Sequence, residues 1–91
     1  MASQLLEVFL GLRGFLARPD NDFTWSSWID AKQALAEIDS ILERLKADVD
    51  PRQVYFGAIF APTGPAQEVS ISSGWGDEFC LLADRFDALV G

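Results

Sequence analysis

Trp28, Leu35, Leu42 and Val49 recur every seven residues, with Ala31, Ile38 and Leu45 interleaved, and this spacing constrains the chain more than any other feature. Apolar side chains at that period share one side of a helix of about six turns. The opposite side carries Asp30, Gln33, Glu37, Ser40, Arg44 and Lys46, an ordinary solvated surface. Two starts are open: Ser27 with Asp30 reads as a capping box, and Thr24 with Phe23 and Trp28 reads as a hydrophobic staple. Pro51 closes the segment, because it can neither donate a backbone hydrogen bond nor fit inside a helix.

A second helical pattern precedes it. Ser3 can cap a run containing Leu5, Leu6, Val8, Phe9, Leu10, Leu12, Phe15 and Leu16, which Pro19 and Asp20-Asn21-Asp22 bring to an end. The polar stripe of Gln4, Glu7, Gly11, Gly14 and Arg18 is narrow, so most of this helix must be covered. Each glycine costs nearly 1 kcal/mol relative to alanine inside a helix, which points to close approach by another helix.

From Gln53 the period changes to two. Val54, Phe56, Ala58 and Phe60 alternate with Tyr55, Gly57, Ile59 and Ala61, a strand that is largely apolar on both faces. Pro62-Thr63-Gly64-Pro65 turns into a second strand, with Gln67, Val69 and Ile71 on one face and Glu68, Ser70 and Ser72 on the other. Beyond Gly74-Trp75-Gly76, Asp77 can cap a last helix whose core stripe is Phe79, Leu82, Ala83, Phe86 and Val90, leaving Leu81 and Ala88 as an apolar excess on its outer side. The expected fold is a single α+β domain over 1–91, in the order α-α-β-β-α. Its antiparallel β-hairpin would pack against a helical hairpin and the C-terminal helix.

An isolated hairpin is marginal in water, and its edges present unpaired backbone groups. The strand holding Val54, Tyr55, Phe56, Ala58, Ile59 and Phe60 carries neither charge nor proline to discourage further pairing. It is therefore an expected dimer edge, joining a second copy across a two-fold axis, unless helix one or the long loop covers it.

Chemistry is bounded by what the chain lacks. With no histidine and Cys80 as its one cysteine, it has neither the imidazoles nor the thiolate clusters of a structural zinc site, nor an internal disulfide. Serine nucleophiles lack a base, since Lys32 and Lys46 both fall on the polar side of their helix. Cys80 reads as a small, partly buried apolar residue. Asp20, Asp22 and Thr24 alternate like the first ligands of an EF-hand, but Trp25 and Ala31 stand where that loop needs glycine and glutamate. Gly74-Trp75-Gly76 lacks the third glycine of a dinucleotide fingerprint, and Asp77 and Glu78 occupy the helix end where an anion would sit. No catalytic, cofactor or metal residues are assigned.

Fourteen acidic residues against seven basic ones leave a net charge of −7, which repels nucleic acid and anionic membranes. A reducing cytoplasm suits a chain with one thiol. The expected function is a small acidic protein-interaction module, one concrete form being an inhibitor or immunity-type protein that binds a basic partner. Its candidate contacts are Trp25, Glu68, Trp75, Asp77, Glu78 and Asp84. Trp28 should be buried, Trp25 partly so, and Trp75 reads as a contact or, more simply, as core. The alternatives are a carboxylate-based, divalent-metal-dependent enzyme or small-ligand protein around Glu68, Asp77 and Glu78, and a structural homodimer.

Overall fold

The computed structural model describes residues 2–47, 56, 59–61 and 64–90, and these form four α-helices with no β-strand among them. They are α1 (Ala2–Leu16), α2 (Ala31–Lys46), α3 (Pro65–Ser73) and α4 (Gly76–Val90). The expected α+β fold is thereby overturned: the described architecture is all-helical.

The second predicted strand is α3. Gly64 is its N-cap, Pro65 opens the first turn where a missing N–H costs nothing, and Gly74 ends it in the left-handed conformation at φ 88°. Ala66, Val69 and Ser70 are buried, a spacing of three and four that belongs to a helix. Alternation would have sent Val69 and Ile71 inward together, whereas about 100° of rotation per residue turns Ile71 out to 65% exposure. Of the predicted edge strand, Val54, Tyr55 and Ala58 lie outside the described residues. Phe56, Ile59 and Phe60 are described and belong to no strand, so strand pairing at this edge has no structural basis among the described residues. Ile59 and Phe60 are both buried, as the apolar run required, without strand conformation.

The helix of Trp28, Leu35 and Leu42 begins later than either predicted start. Asp30 is the N-cap and accepts from the Gln33 N–H at 2.9 Å, while the Gln33 side chain accepts from the Ile29 N–H at 2.7 Å. Trp28 therefore precedes the helix, although it is buried as the stripe required. Ala34, Ile38, Ile41, Leu42 and Leu45 make the inner face, and Ala47 is the C-cap. Val49 and Pro51 lie outside the described residues. In α1, Ser3 falls inside the first turn instead of capping it, since the helix already includes Ala2.

Leu5, Val8, Phe9, Leu12 and Leu16 of α1 are fully buried, and α1 packs on both α2 and α4. Burial of each such side chain contributes about 1.5–3 kcal/mol. Arg13 ties α1 to α2 through Asp39, with its Nε 2.6 Å from Oδ1 and its Nη2 3.3 Å from Oδ2. On the other side, Glu7 meets Arg85 at 3.6 Å and Gly11 faces Leu82, so α1 and α4 run antiparallel. Rings fill the space between them: Phe9 stacks on Phe56 at 5.4 Å and meets Phe60 and Phe86 edge-on. Phe60 in turn stacks on Phe86 at 4.8 Å and Phe79 at 5.7 Å. The apolar run once read as a strand delivers aromatic rings to a helical core.

The two glycines of α1 differ in cause. A Cβ on Gly11 would sit 3.3 Å from Leu82 Cδ2, the close helix approach that the sequence implied; a Cβ on Gly14 would meet nothing within 4 Å. Gly14→Ala should therefore stabilise the protein by up to about 1 kcal/mol, raising Tm by roughly 4–8 °C, while Gly11→Ala falls short of that gain. Thermal melts followed by circular dichroism compare the two.

Hydrogen bonding by Arg13 holds the Asp39 carboxyl below the usual carboxylate range, against a smaller opposing effect of burial. A depressed folded-state pKa gives stability that is full above the unfolded value, about 3.9, and lost as pH falls through the folded one. Wild type should melt above Asp39→Asn at pH about 7, and the gap should close below pH about 4. Paired melts across that range read it directly.

Candidate functional site

The loop 17–30 between α1 and α2 is long, yet its backbone is fastened at successive points. Asn21 donates from Nδ2 to the carbonyls of Phe15 at 2.8 Å and Leu16 at 3.1 Å, joining the Arg18 N–H on the first of these acceptors at the end of α1. Its Oδ1 accepts from the indole Nε1 of Trp75 at 2.9 Å. Trp75 is 1% exposed and stacks on Phe15 with centroids 5.0 Å apart, and the Arg18 guanidinium lies 4.5 Å from the centre of the Phe15 ring. Indole, phenyl ring and guanidinium thus gather around the last turn of α1.

Further along, the Asp22 N–H donates to Ser73 Oγ at 2.8 Å, and Ser26 Oγ donates to the Pro65 carbonyl at 3.0 Å. Ser73 and Pro65 are opposite ends of α3, so the loop runs along that helix in the opposite sense. The Ser26 hydroxyl also accepts from the Trp28 N–H at 3.1 Å, and the buried Trp28 indole donates to Glu37. Between the anchors at Asp22 and Ser26 stands Trp25, 73% exposed where partial burial was expected. Ile29 is 82% exposed. It occupies the position before the N-cap, from which an apolar residue commonly staples onto the first turns; at this exposure it makes no such contact.

Asp22 folds back onto the chain just before Trp25, its Oδ1 accepting from the Thr24 N–H at 2.9 Å. Hydrogen bonding from the Thr24 side chain and then from its N–H holds the Asp22 carboxyl below its ordinary value, with burial opposing weakly. Asp20 and Asp30 are exposed in the same loop.

The remaining expected contacts lie elsewhere. Asp77 and Glu78 occupy the first turn of α4, favourable against the helix dipole, and Asp77 lies inside the helix instead of capping it. Trp75 holds the capping position, its carbonyl accepting from the Phe79 N–H at 3.0 Å. Asp84 is exposed two turns on from Asp77, roughly 10 Å along the axis, with Leu81 at 66% exposure between them. Glu68 is half-buried on α3, and Trp75 is in the core. The structure thus brings Asp77, Glu78 and Asp84 onto one helix and sets Trp25 on a separate element. Cys80 is exposed, contrary to its expected partial burial.

Sequence reasoning missed Asn21 and Ile29. A polar residue shortly after a helix end signals the first, and an apolar residue beside the capping Asp30 signals the second.

Little here resembles an enclosed reaction site. An open cleft of about 240 Å³ between α1 and α4 is lined by Gln4, Glu7, Arg85, Ala88 and Leu89, and its Glu7 already faces Arg85. Among the described residues, no three aspartates, glutamates, cysteines or histidines gather where they could hold a metal. The buried Ser70 hydroxyl donates to the Gln67 carbonyl at 2.7 Å. Among those residues, too, no helix is long and apolar enough to cross a membrane. Compared with protein-family models, with curated proteins and with solved structures, the chain finds no match in any of the three.

Trp25 is exposed while Trp28 and Trp75 are 2% and 1% exposed, so a soluble quencher should reach one indole of the three. Acrylamide quenching of Trp25→Phe should show almost none of the accessible emission seen in wild type. Equal quenching in the two proteins would contradict this arrangement.

Proposed function

We propose that this chain is an acidic protein-binding module whose partner presents a basic surface. The observation that carries the reading is the exposure of Trp25 and Ile29, 73% and 82%, on a loop fastened on both sides of the tryptophan. Tryptophan concentrates at binding hot spots because it buries a large area with few torsions to freeze. Order that exists before binding lowers the entropic cost of association. Net charge −7 supplies long-range attraction to a cationic surface, to which Asp77, Glu78 and Asp84 on α4 contribute.

An inhibitor or immunity-type protein that covers a basic partner is the form this reading takes. Action in the cytoplasm belongs to the same proposal and is supported by the exposed free thiol of Cys80, which a reducing compartment preserves. The open cleft and the scattered carboxylates lend no support to carboxylate catalysis.

A photo-cross-linking aromatic residue placed at position 25 in cells would identify the partner, and titration of the purified pair would follow. Trp25→Ala should weaken binding at least roughly tenfold, as expected of a hot spot. Affinity should also fall steeply between about 50 and about 500 mM salt. A partner that binds Trp25→Ala as tightly as wild type, or that ignores salt, would remove this reading.

A further inference from the structure

The chemistry around Trp25 narrows the partner. Between Pro19 and Glu37 the chain has four carboxylates, Asp20, Asp22, Asp30 and Glu37, against one cation, Lys32. Arg18, just upstream, already lies over Phe15, so its charge is engaged at the end of α1. The indole of Trp25 is the exposed aromatic group in this stretch, and the Asp22 carboxylate is held on the N–H of Thr24, the residue before it. An aromatic face attracts a cation through its quadrupole, and a flanking carboxylate adds direct Coulomb attraction. A guanidinium suits both at once, because it is planar, weakly hydrated and forks toward carboxylates. The protein already makes half of this arrangement internally, with Arg18 4.5 Å over Phe15.

We propose that the loop from Asp20 to Asp30 docks an arginine-bearing segment of the partner, with a guanidinium laid on the Trp25 ring and the loop carboxylates opposing its charge. Ile29, on the other side of the buried Trp28, receives apolar parts of the same segment. This rests on the protein-binding reading and adds to it the residue type recognised and the place of contact. The charge balance of the loop selects this occupant: an acidic peptide or nucleic acid would meet the three carboxylates of Asp20, Asp22 and Asp30, and a wholly apolar segment would leave them uncompensated.

The test uses the full chain and two probes, a ten-residue arginine peptide and a ten-residue lysine peptide, titrated with indole emission and calorimetry as readouts. The arginine peptide should bind more tightly than the lysine peptide and shift the emission of the exposed indole. Trp25→Leu, which keeps apolar area but removes the ring quadrupole, should weaken the arginine peptide roughly tenfold. Its melting temperature should match wild type, because Trp25 is a surface residue. The double variant Glu43→Gln, Asp87→Asn, at exposed carboxylates away from the loop, should bind the arginine peptide nearly as wild type does. Unchanged affinity in Trp25→Leu, or an equal loss in the Glu43, Asp87 double variant, would overturn the proposal by showing diffuse charge attraction. Failure of the protein-binding reading would look different: the arginine peptide would still depend on Trp25, while cross-linking from position 25 would yield no protein whose purified form binds.

Discussion

A buried indole N–H must find an acceptor, and in this protein the acceptor for Trp75 is the side chain of Asn21. Leaving such a donor unpaired costs about 1–3 kcal/mol, enough to matter in a chain this short. The contact joins the junction of α3 and α4 to the loop after α1, and through the other end of the same amide to the carbonyls of Phe15 and Leu16. Reversing the amide would set two donors against each other and two acceptors against each other, so one orientation satisfies all three groups. Stacking of Trp75 on Phe15 fixes the ring plane from which the N–H points. One short polar side chain therefore registers the end of α1 and the loop after it against a junction distant in sequence.

Around that registration the protein is organised by α1. Its inner surface holds the aromatic group of Phe9, Phe56, Phe60, Phe79 and Phe86 toward one part of the core, and Phe15 with Trp75 toward another. Rings interlocked edge-on and face-on fill volume with few soft torsions, which favours a well-defined interior. The charged groups that tie helices together, Arg13 with Asp39 and Glu7 with Arg85, do so at the surface. With its interior occupied by rings, the molecule has its unsatisfied apolar and anionic groups at the exterior.

The helices that the sequence revealed were those long enough for their period to be read. Ala34, Ile38, Ile41 and Leu45 span α2, and Phe79 and Leu82 begin the stripe of α4, so rotation per residue is overdetermined there. α3 is too short for that. With Val69 and Ile71 two apart and Ser70 and Ser72 alternating with them, it satisfies a period of two as well as a helical one, and β-branched residues add to the misreading. The brackets that decide it, Pro65 after Gly64 and Gly74 at the end, are backbone signals that outweigh side-chain pattern in so short an element. Phe56, Ile59 and Phe60 misled for a related reason: an apolar run states that a segment is buried, not in which conformation. In the candidate site, Trp25 stood out as a loop residue beside two serines and Trp75 as a core residue before a helix. Asn21 was marked only by its place just after a helix end, and its bond to Trp75, distant in sequence, had no local sign.

The loop that displays Trp25 is laid along α3 and fastened at both of that helix's ends, Ser73 and Pro65. Neither can come loose without disturbing the other, so the opening of α3 and the release of the indole form one cooperative event. Any ligand that clamps the loop consequently slows solvent exchange at α3 amides it never touches. Slackening of α3 in turn frees the indole to wander, and part of the binding energy is then spent on restoring its order.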